Sequence, residues 1–274
     1  MLEKFIYETH SGLRFEGLAN GVYLNYNDLR DYEWSYDTIN SRISRFYRSV
    51  TSRKLPLVIK CDSTEKAIAV KHRLLELCEI DIEAKQPGKI YIGDCYTTGY
   101  ITASSKSEYL LTKQYCKIEL TLTSDDPTWY QDQTHIFNPK QASEAATGID
   151  FPFDYDYDFR GTTAGKRIML DAVRGSAFRL KIYGYAENPL VNIGDHVYSI
   201  DGIVGANETL LIDSLSKKIT LTTASGSVVN WFDKRNRESY IFEPIPPGQI
   251  DVTWGGSFAF NLTIIEKRSE PRWI

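Results

Sequence analysis

Residues 62–82 read DSTEKAIAVKHRLLELCEIDI, and they form the one strongly helical pattern in a chain that is otherwise patterned as strands and turns. Apolar residues recur about every 3.6 positions, so one side of the predicted helix is apolar and only Lys71 interrupts it. The apolar side consists of Ala67, Ile68, Val70, Leu74, Leu75, Leu77, Cys78 and Ile82. Asp62, with Glu65 three residues later, matches a capping box and predicts where the helix begins. Because one amphipathic helix cannot bury its apolar face alone, we predict that it packs on a sheet made by its neighbouring strands.

Length and composition limit the class of protein. A chain of 274 residues predicts two domains, and 42% apolar with 25% charged residues is typical of folded, soluble proteins. The 18 Tyr, 12 Phe and 5 Trp favour sheet faces and interfaces over a helical bundle. The net charge of -4 is spread over both halves, which argues against a surface dedicated to nucleic acid or to a membrane.

The N-terminal sequence and the cysteines indicate the compartment. MLEKFIYETHSG lacks the apolar core of a signal peptide, and no run of residues would span a bilayer, so we expect folding in the cytosol. The four cysteines contain no CxxC pair; they are Cys61, Cys78, Cys95 and Cys116. Buried free thiols in a reducing cytosol are therefore favoured, with a disulfide framework and a zinc site as the open alternatives.

The first half predicts a β-rich α+β domain over residues 1–130, with its one helix at 63–82. The apolar strand 55–61 runs directly into the helix cap, and strands beginning at Ile90, Tyr100 and Gln114 follow the helix. The last of these alternates apolar with polar residues, as half-buried antiparallel strands do. Residues 131–149 are polar and weakly periodic, so we predict a linker there.

The second half, residues 150–274, predicts a β-sandwich. It has no helical pattern, and many short strands are separated by turn signals. The predicted strands are 167–170, 178–185, 196–200, 210–212, 218–222, 240–242, 251–254 and 258–266.

An acidic segment in this half is the best candidate for a metal site. Residues 151–159 alternate aromatic residues with Asp154, Asp156 and Asp158. A calcium-binding EF-hand loop needs a glycine where Phe159 stands, and carboxylates along one strand face diverge. We therefore interpret the segment as the charged outer face of a strand, and we predict no metal site.

No motif indicates catalysis. GxSxG, P-loop, GxGxxG and HExxH patterns are absent, and the four histidines are not paired at the spacing of metal ligands. They are His10, His72, His135 and His196. We therefore predict that the protein is not an enzyme and uses no cofactor. Trp231, Trp254 and Trp273 suggest an alternative, a platform on which a sugar would stack, although such residues are more often core or interface residues.

A basic run precedes the helix. No acidic residue lies between Asp37 and Asp62, and this interval holds Arg42, Arg45, Arg48, Arg53, Lys54 and Lys60. One interpretation is the solvated flank of a hairpin, which is the common meaning of such a run. The other is an arm that contacts an acidic neighbouring subunit or DNA, although Phe46 and Tyr47 are too few aromatics for nucleic-acid stacking. We favour subunit contact, and the candidate interface residues are Arg42, Arg45, Arg48, Arg53 and Lys54.

Besides the helix, six stretches follow one another along nearly the whole chain. They are RKLPLVIKCDS (53–63), GKIYIGDCYTTGYI (88–101), CKIELTLTSDDPTWY (116–130), FRLKIYGYAENPLVNIGDHVY (178–198), YIFEPIPPGQIDVTWGG (240–256) and EKRSEPRW (266–273). In this order, within one chain of this length, they resemble the distal tail proteins of long, flexible-tailed bacteriophages and related prophage elements.

The resemblance implies an N-terminal domain that assembles as a homohexameric ring around the tail channel, and a C-terminal galectin-like β-sandwich that projects outward. The ring would join the tail tube protein to the tail-associated hub or lysin protein at the virion tail tip, after assembly in the host cytoplasm. The outer domain would carry adsorption components such as a receptor-binding protein. The family offers no catalytic or cofactor-binding residues to transfer. The alternative function is a carbohydrate-binding module for host adsorption, and both a phage and a tail-like bacteriocin remain open as the particle.

Overall fold

The structure is a computed structural model, and it describes residues 4–107, 114–139 and 164–273. The chain divides into two compact units, one made of Met1–Gln131 with Lys267–Ile274 and the other of Asp132–Glu266. Strands dominate both units, and among the described residues there is one α-helix. The predicted fold class, mainly β with one helix in the N-terminal half, is confirmed for this part of the chain.

The first unit contains mostly short strands before the helix, apart from the ten-residue β6, and strands of 5 to 13 residues after it. In chain order its elements are β1 (Phe5–Glu8), β2 (Arg14–Glu16), a 3-10 helix (Leu18–Asn20), β3 (Val22–Leu24), β4 (Ser35–Ile39), β5 (Arg42–Tyr47), β6 (Thr51–Lys60), α1 (Thr64–Ala84), β7 (Gly88–Ile92), β8 (Cys95–Ser107), β9 (Tyr115–Ser124) and β10 (Trp129–Phe137), whose residues after Gln131 belong to the second unit.

Helix α1 buries a narrower stripe than its sequence predicts. Its N-cap is Ser63, whose side-chain oxygen accepts a hydrogen bond from the backbone N–H of Lys66 at 3.1 Å, so the predicted cap at Asp62 is wrong by one residue. The buried residues are Ala67, Val70, Leu74, Leu77, Cys78 and Asp81. Ile68 and Ile82 are exposed, because they lie at the margins of the stripe that the sheet covers.

The sheet under this helix is organised around β6. This strand pairs with β3 on one side and with β9 on the other, both antiparallel. β9 also pairs with β8, which continues through β7 and β1 to β2. Inward and outward side chains alternate along β9, and the inward ones share one core with the apolar face of α1. The predicted packing of the helix on neighbouring strands is therefore confirmed.

The cysteines belong to this core. All four are free and buried, as the sequence predicts; they are Cys61, Cys78, Cys95 and Cys116. Burial raises the pKa of the Cys78 thiol to about 12, so this thiol stays protonated at neutral pH. The four cysteine side chains contribute to the packing of this core.

The second unit has the following further elements: β11 (Ala164–Leu170), β12 (Ala177–Tyr183), β13 (Ala186–Glu187), β14 (Leu190–Ile193), β15 (His196–Ser199), β16 (Ile203–Val204), β17 (Thr209–Asp213), β18 (Lys218–Thr222), β19 (Val228–Asn230), a 3-10 helix (Phe232–Lys234), β20 (Gly248–Trp254) and β21 (Ala259–Arg268), whose residues from Lys267 belong to the first unit.

Two sheets of the second unit share one core. One has the order β19-β18-β17-β12-β21-β10, and the other has the order β11-β20-β14-β15. Their inward apolar side chains form a single buried cluster that includes the stacked rings of Phe137 and Phe260. Two layers around one core are the arrangement of a β-sandwich. The galectin-like character of this unit stays a prediction.

Several predictions for this half need correction. Residues 240–242 form a turn, in which the backbone N–H of Glu243 donates to the carbonyl of Tyr240, and not a strand. The strand β10 occupies residues 131–137 of the predicted linker 131–149, so the chain there is paired sheet. Asp154, Asp156 and Asp158 lie outside the described residues.

Candidate assembly surface

The hairpin formed by β4 and β5 is built by local sequence. Asn40 and Ser41 connect the strands with φ angles of 50° and 62°, and two successive left-handed residues are typical of the type I′ turn that matches the twist of a hairpin. The register pairs Tyr36 with Phe46 and Ile39 with Arg42, with an irregularity between Asp37 and Thr38. In the described part of the chain, β4 and β5 pair only with each other.

Apolar side chains on this hairpin face solvent. All residues from 36 to 46 are exposed. The large apolar side chains that are more than half exposed here, with the nearby Val50, are Tyr36, Ile39, Ile43, Phe46 and Val50. An isolated two-stranded hairpin is only marginally stable in water, and clustered exposed apolar side chains mark interaction sites. We therefore treat residues 35–50 as the candidate assembly surface.

Arg42 and Arg45 are the predicted interface residues that lie on this surface. Both are exposed, and the Arg45 guanidinium lies 5.6 Å from the centre of the Tyr47 ring. Asp37 stands opposite Arg45 in the strand register. The tip of the hairpin is therefore apolar with two cations beside it.

Arg48 and Arg53 serve the fold of the first unit. Arg48 donates to the carbonyl of Pro127 at 3.2 Å and to Ser269 Oγ at 2.6 Å, and its guanidinium lies over the Trp34 ring. Arg53 is 8% exposed and donates to the carbonyls of Leu29 and Asp31 at 3.2 and 2.7 Å. Burial lowers the pKa of its guanidinium.

Lys54 lies on the outer face of β6, where its ammonium group is 2.8 Å from the carboxylate of Glu119 on β9. The five predicted interface residues are therefore not brought together. Arg42 and Arg45 lie on the hairpin, Arg48 lies at its base, and Arg53 is inside the unit. The burial of Arg53 removes it from the predicted interface, because its donors are already bound to backbone carbonyls.

A buried polar cluster at the end of α1 was not predicted. Asp81 is fully buried, and its carboxylate accepts hydrogen bonds from the Tyr7 hydroxyl and from the backbone N–H of His10 at 2.9 Å. His10 Nδ1 lies 2.6 Å from the same carboxylate. Burial, together with the hydrogen bond to Asp81, raises the pKa of Tyr7 far above its usual range. Asp81 follows Leu77 and Cys78 on the apolar stripe of α1. A carboxylate at that position was the feature of the sequence that could have revealed the cluster.

This cluster lacks one part of a catalytic triad in the described residues. A catalytic histidine oriented by a carboxylate also needs a nucleophile on its other nitrogen. Among the hydroxyls and thiols that the structure describes, none is hydrogen-bonded to Nε2 of His10. The other histidines lie elsewhere, and no group of three metal-ligating side chains occurs in the described ranges.

The burial of Trp254 argues against the alternative of a tryptophan platform for a sugar. Trp254 is buried in the second unit, where Nε1 donates to the carbonyl of Phe258 at 3.1 Å. Trp231 packs half-buried against the same core. Trp273 belongs to the first unit and is exposed, with the Arg30 guanidinium 4.3 Å from its ring centre. Trp254 and Trp231 are therefore core residues of the second unit, which is the more common role of such residues.

The similarity of this chain to known proteins is found in its structure and not in its sequence. No model of a protein family matches the chain, and no curated protein matches it significantly. Among the described residues, no helix is both long and apolar enough to cross a membrane.

Three of the solved structures that are similar to this chain come from bacteriophages. The SPP1 Dit (gp 19.1) protein, described as a paradigm of the hub adsorption apparatus in phages infecting Gram-positive bacteria, matches with a TM-score of 0.56 at 10% identity, covering 98% of this chain and 100% of its own. A chain of the phage P2 baseplate in its activated conformation with Ca matches with a TM-score of 0.63 at 13% identity, covering 99% and 100%. The Sr form of that baseplate gives 0.62 at 12% identity, with the same coverage. This chain therefore has the fold of these phage hub and baseplate proteins.

Proposed function

We propose that this chain is a structural, non-enzymatic distal tail protein of a bacteriophage, a prophage or a tail-like particle. The observation that carries the proposal is the fold match, which spans 98–99% of this chain and the full length of each matched chain. A match of that extent includes both units.

In this proposal, six copies form a closed ring through the candidate assembly surface, residues 35–50. A ring needs a heterologous contact, in which one patch of each subunit binds a different patch of the next. The hairpin suits this role, because burying Ile39, Ile43 and Phe46 against a neighbour would remove exposed apolar surface from water. Arg42 and Arg45 would lie at the rim of the contact and set its orientation by meeting acidic groups.

The other partners follow from the same role. The ring would bind the tail tube protein on one side and the tail-associated hub or lysin protein on the other. The second unit, as a galectin-like β-sandwich, would carry a receptor-binding protein. The protein would be located at the virion tail tip after assembly in the host cytoplasm.

Electron microscopy of the purified full chain tests this proposal, alone and after co-expression with the tail tube protein of the same phage or prophage. The expected result is a ring with six-fold symmetry and a central channel, either free or at the end of a tube. Only single subunits in both preparations would overturn the proposal.

A further inference from the structure

The second unit contains a pocket of about 470 Å³ that the hub role does not use. The turn before β18 supplies Lys217, and the segment between β19 and β20 supplies the remaining lining residues. The cations and aromatic side chains that line it are Lys217, Phe232, Arg235, Arg237, Tyr240 and Phe242. No acidic residue lines it.

Three cations therefore converge without a counter-ion. The Lys217 ammonium group lies 5.2 Å from the ring centres of both Tyr240 and Phe242. Arg235 lies 4.0 Å above the Phe232 ring and donates to its backbone carbonyl at 2.7 Å, and Arg237 is exposed. Within the described residues, none of these three forms an ion pair with a carboxylate. Like charges held close together repel one another, and a bound anion would relieve that repulsion.

Aromatic rings form the wall beside these cations. Phe232 and Phe242 stack with ring centres 6.1 Å apart, and Tyr240 meets Phe242 edge-on at 6.0 Å. Tyr240 is 55% exposed, so its ring offers a free apolar face next to Lys217. A ligand that suits these walls has an apolar ring face and an anionic group on the same small body.

Hydrogen bonds hold the wall in place. His196 Nε2 lies 2.9 Å from the backbone carbonyl of Tyr240, and Ser239 Oγ donates to the carbonyl of Val197 at 2.6 Å. The Tyr198 hydroxyl donates to the carbonyl of Glu243 at 2.7 Å. The segment is thereby tied at three points to β15, so the pocket is largely formed before any ligand binds.

We propose that this pocket binds a phosphorylated sugar. The phosphate would accept hydrogen bonds from Lys217 and Arg237, with Arg235 as a third cation, and the less polar face of the sugar ring would stack on Tyr240. This inference stands on the pocket alone and does not require the hub role. It also places sugar recognition on residues other than the three tryptophans.

The geometry favours a phosphorylated sugar over a peptide or a nucleic acid. A peptide that adds to a sheet needs an open strand edge, whereas neither Lys217 nor residues 232–242 form a strand, and Arg235 makes only an isolated bridge to Ile200. A nucleic acid needs cations that follow its backbone over several phosphates, and three clustered cations on a chain of net charge -4 match one phosphate group better.

Isothermal titration calorimetry of the full chain tests the proposal with glucose 6-phosphate as the probe. Glucose and inorganic phosphate are the two half-ligand controls, and single-stranded oligothymidylate and a poly-glutamate peptide represent the two other ligand classes. We expect saturable binding of glucose 6-phosphate that is at least about tenfold tighter than that of either half-ligand, because only the whole molecule uses both cations and rings.

The variants are chosen to separate binding from folding. Arg237→Glu changes an exposed side chain and should weaken binding of glucose 6-phosphate at least about tenfold with an unchanged Tm. Lys217→Gln is the second variant, and Lys181→Glu, an exposed lysine on β12 outside the pocket, is the matched control that should bind normally. No binding of glucose 6-phosphate, equal binding of inorganic phosphate, tighter binding of either polymer, or binding that Arg237→Glu and Lys217→Gln leave intact would each overturn the proposal.

Discussion

The Asp81 carboxylate accepts a hydrogen bond from the Tyr7 hydroxyl, and both side chains are fully buried. Tyr7 belongs to β1 and Asp81 to the last turns of α1, so the bond ties the helix to a strand 74 residues away in sequence. His10 completes the cluster around the same carboxylate through its backbone N–H and its Nδ1. The helix is therefore fixed by an apolar stripe along its length and by a polar bond near its end.

The first prediction concerns the coupling between these two residues. Asp81→Asn and Tyr7→Phe should each destabilise the first unit by about 1–3 kcal/mol, because each leaves a buried polar partner with a weaker bond or none. The double variant should cost less than the sum of the two, with a coupling energy of about 1–2 kcal/mol in urea unfolding. Additive losses would show that the two groups do not interact. Tyr7→Phe combined with Asp251→Asn in the other unit is the control pair, and it should be additive.

Gly88 gives the second prediction. A Cβ at this position would lie 2.2 Å from Asp81 Oδ2 and 2.7 Å from the Tyr7 hydroxyl oxygen, too close for real atoms. Gly88→Ala should therefore destabilise the protein by about 2 kcal/mol or more, by pushing the two partners apart. The matched control is Gly255→Ala, where a Cβ meets nothing within 4 Å. Equal urea midpoints for the two variants would contradict the close approach described at Gly88.

The third prediction concerns pH. Burial alone would raise the pKa of Asp126, but hydrogen bonds from Thr128 and Tyr130 outweigh it and hold that pKa below its usual value. A carboxylate with a lowered pKa stabilises the folded state fully above its unfolded pKa of about 4, and this contribution is lost as the pH falls through the folded pKa. Asp126→Asn should therefore cost about 1–2 kcal/mol at pH 7 and progressively less below pH ~4.

Urea unfolding at a series of pH values between neutral and acid checks this. Asp125→Asn is the matched control, since Asp125 is exposed and adjacent in sequence. A cost for Asp126→Asn that stays constant across the series would rule out the proposed ionic contribution.

The fourth prediction separates assembly from folding. Replacing Ile43 and Phe46 together by Ser should abolish or weaken the ring by at least about tenfold in dissociation constant, with the monomer still folded, because both side chains already face solvent. Met169→Ser, another exposed apolar residue, is the control and should leave the ring intact. Light scattering measures the ring, and circular dichroism measures the fold. An unchanged ring in the double variant would exclude the hairpin from the interface.

The arginines extend this test. Arg42→Glu with Arg45→Glu should weaken the ring without loss of fold, since both lie on the hairpin surface. Arg53→Met should instead lower the urea midpoint, because it removes the donors to the buried carbonyl of Leu29 and to the carbonyl of Asp31. If Arg53→Met abolished the ring and left the urea midpoint unchanged, Arg53 would belong to the interface after all.

The sequence predicts elements best where alternation and turn signals agree. The strand at Lys218–Thr222 is found with its predicted bounds, since its alternating residues are followed by the turn at Ser225-Gly. Residues 240–242 look equally apolar, yet their backbone is held by His196 and by a local turn. Strands such as Ala186–Glu187 and Ile203–Val204 are too short to show any period.

The candidate site was predicted only in part. The basic run overlaps the β4–β5 hairpin, whose role in assembly stays a proposal, but charge alone does not show which arginines face outward. In β6, Arg53 alternates in phase with the buried residues Leu55, Leu57 and Ile59. The alternation in the sequence could therefore have predicted that the Arg53 side chain points inward. The pocket around Lys217 and Tyr240 is formed by residues from two separate segments of the chain. Residues that meet only in the folded structure leave no local pattern in the sequence.

Sedimentation equilibrium of the full chain, over a wide range of protein concentration and with the tail tube protein added in excess, tests the central claim most directly. We expect a species of six times the 31.3 kDa chain mass in the protein alone, or a complex that contains six copies of this chain together with the tube protein. A chain mass of one copy at every concentration, with and without the tube protein, would contradict it.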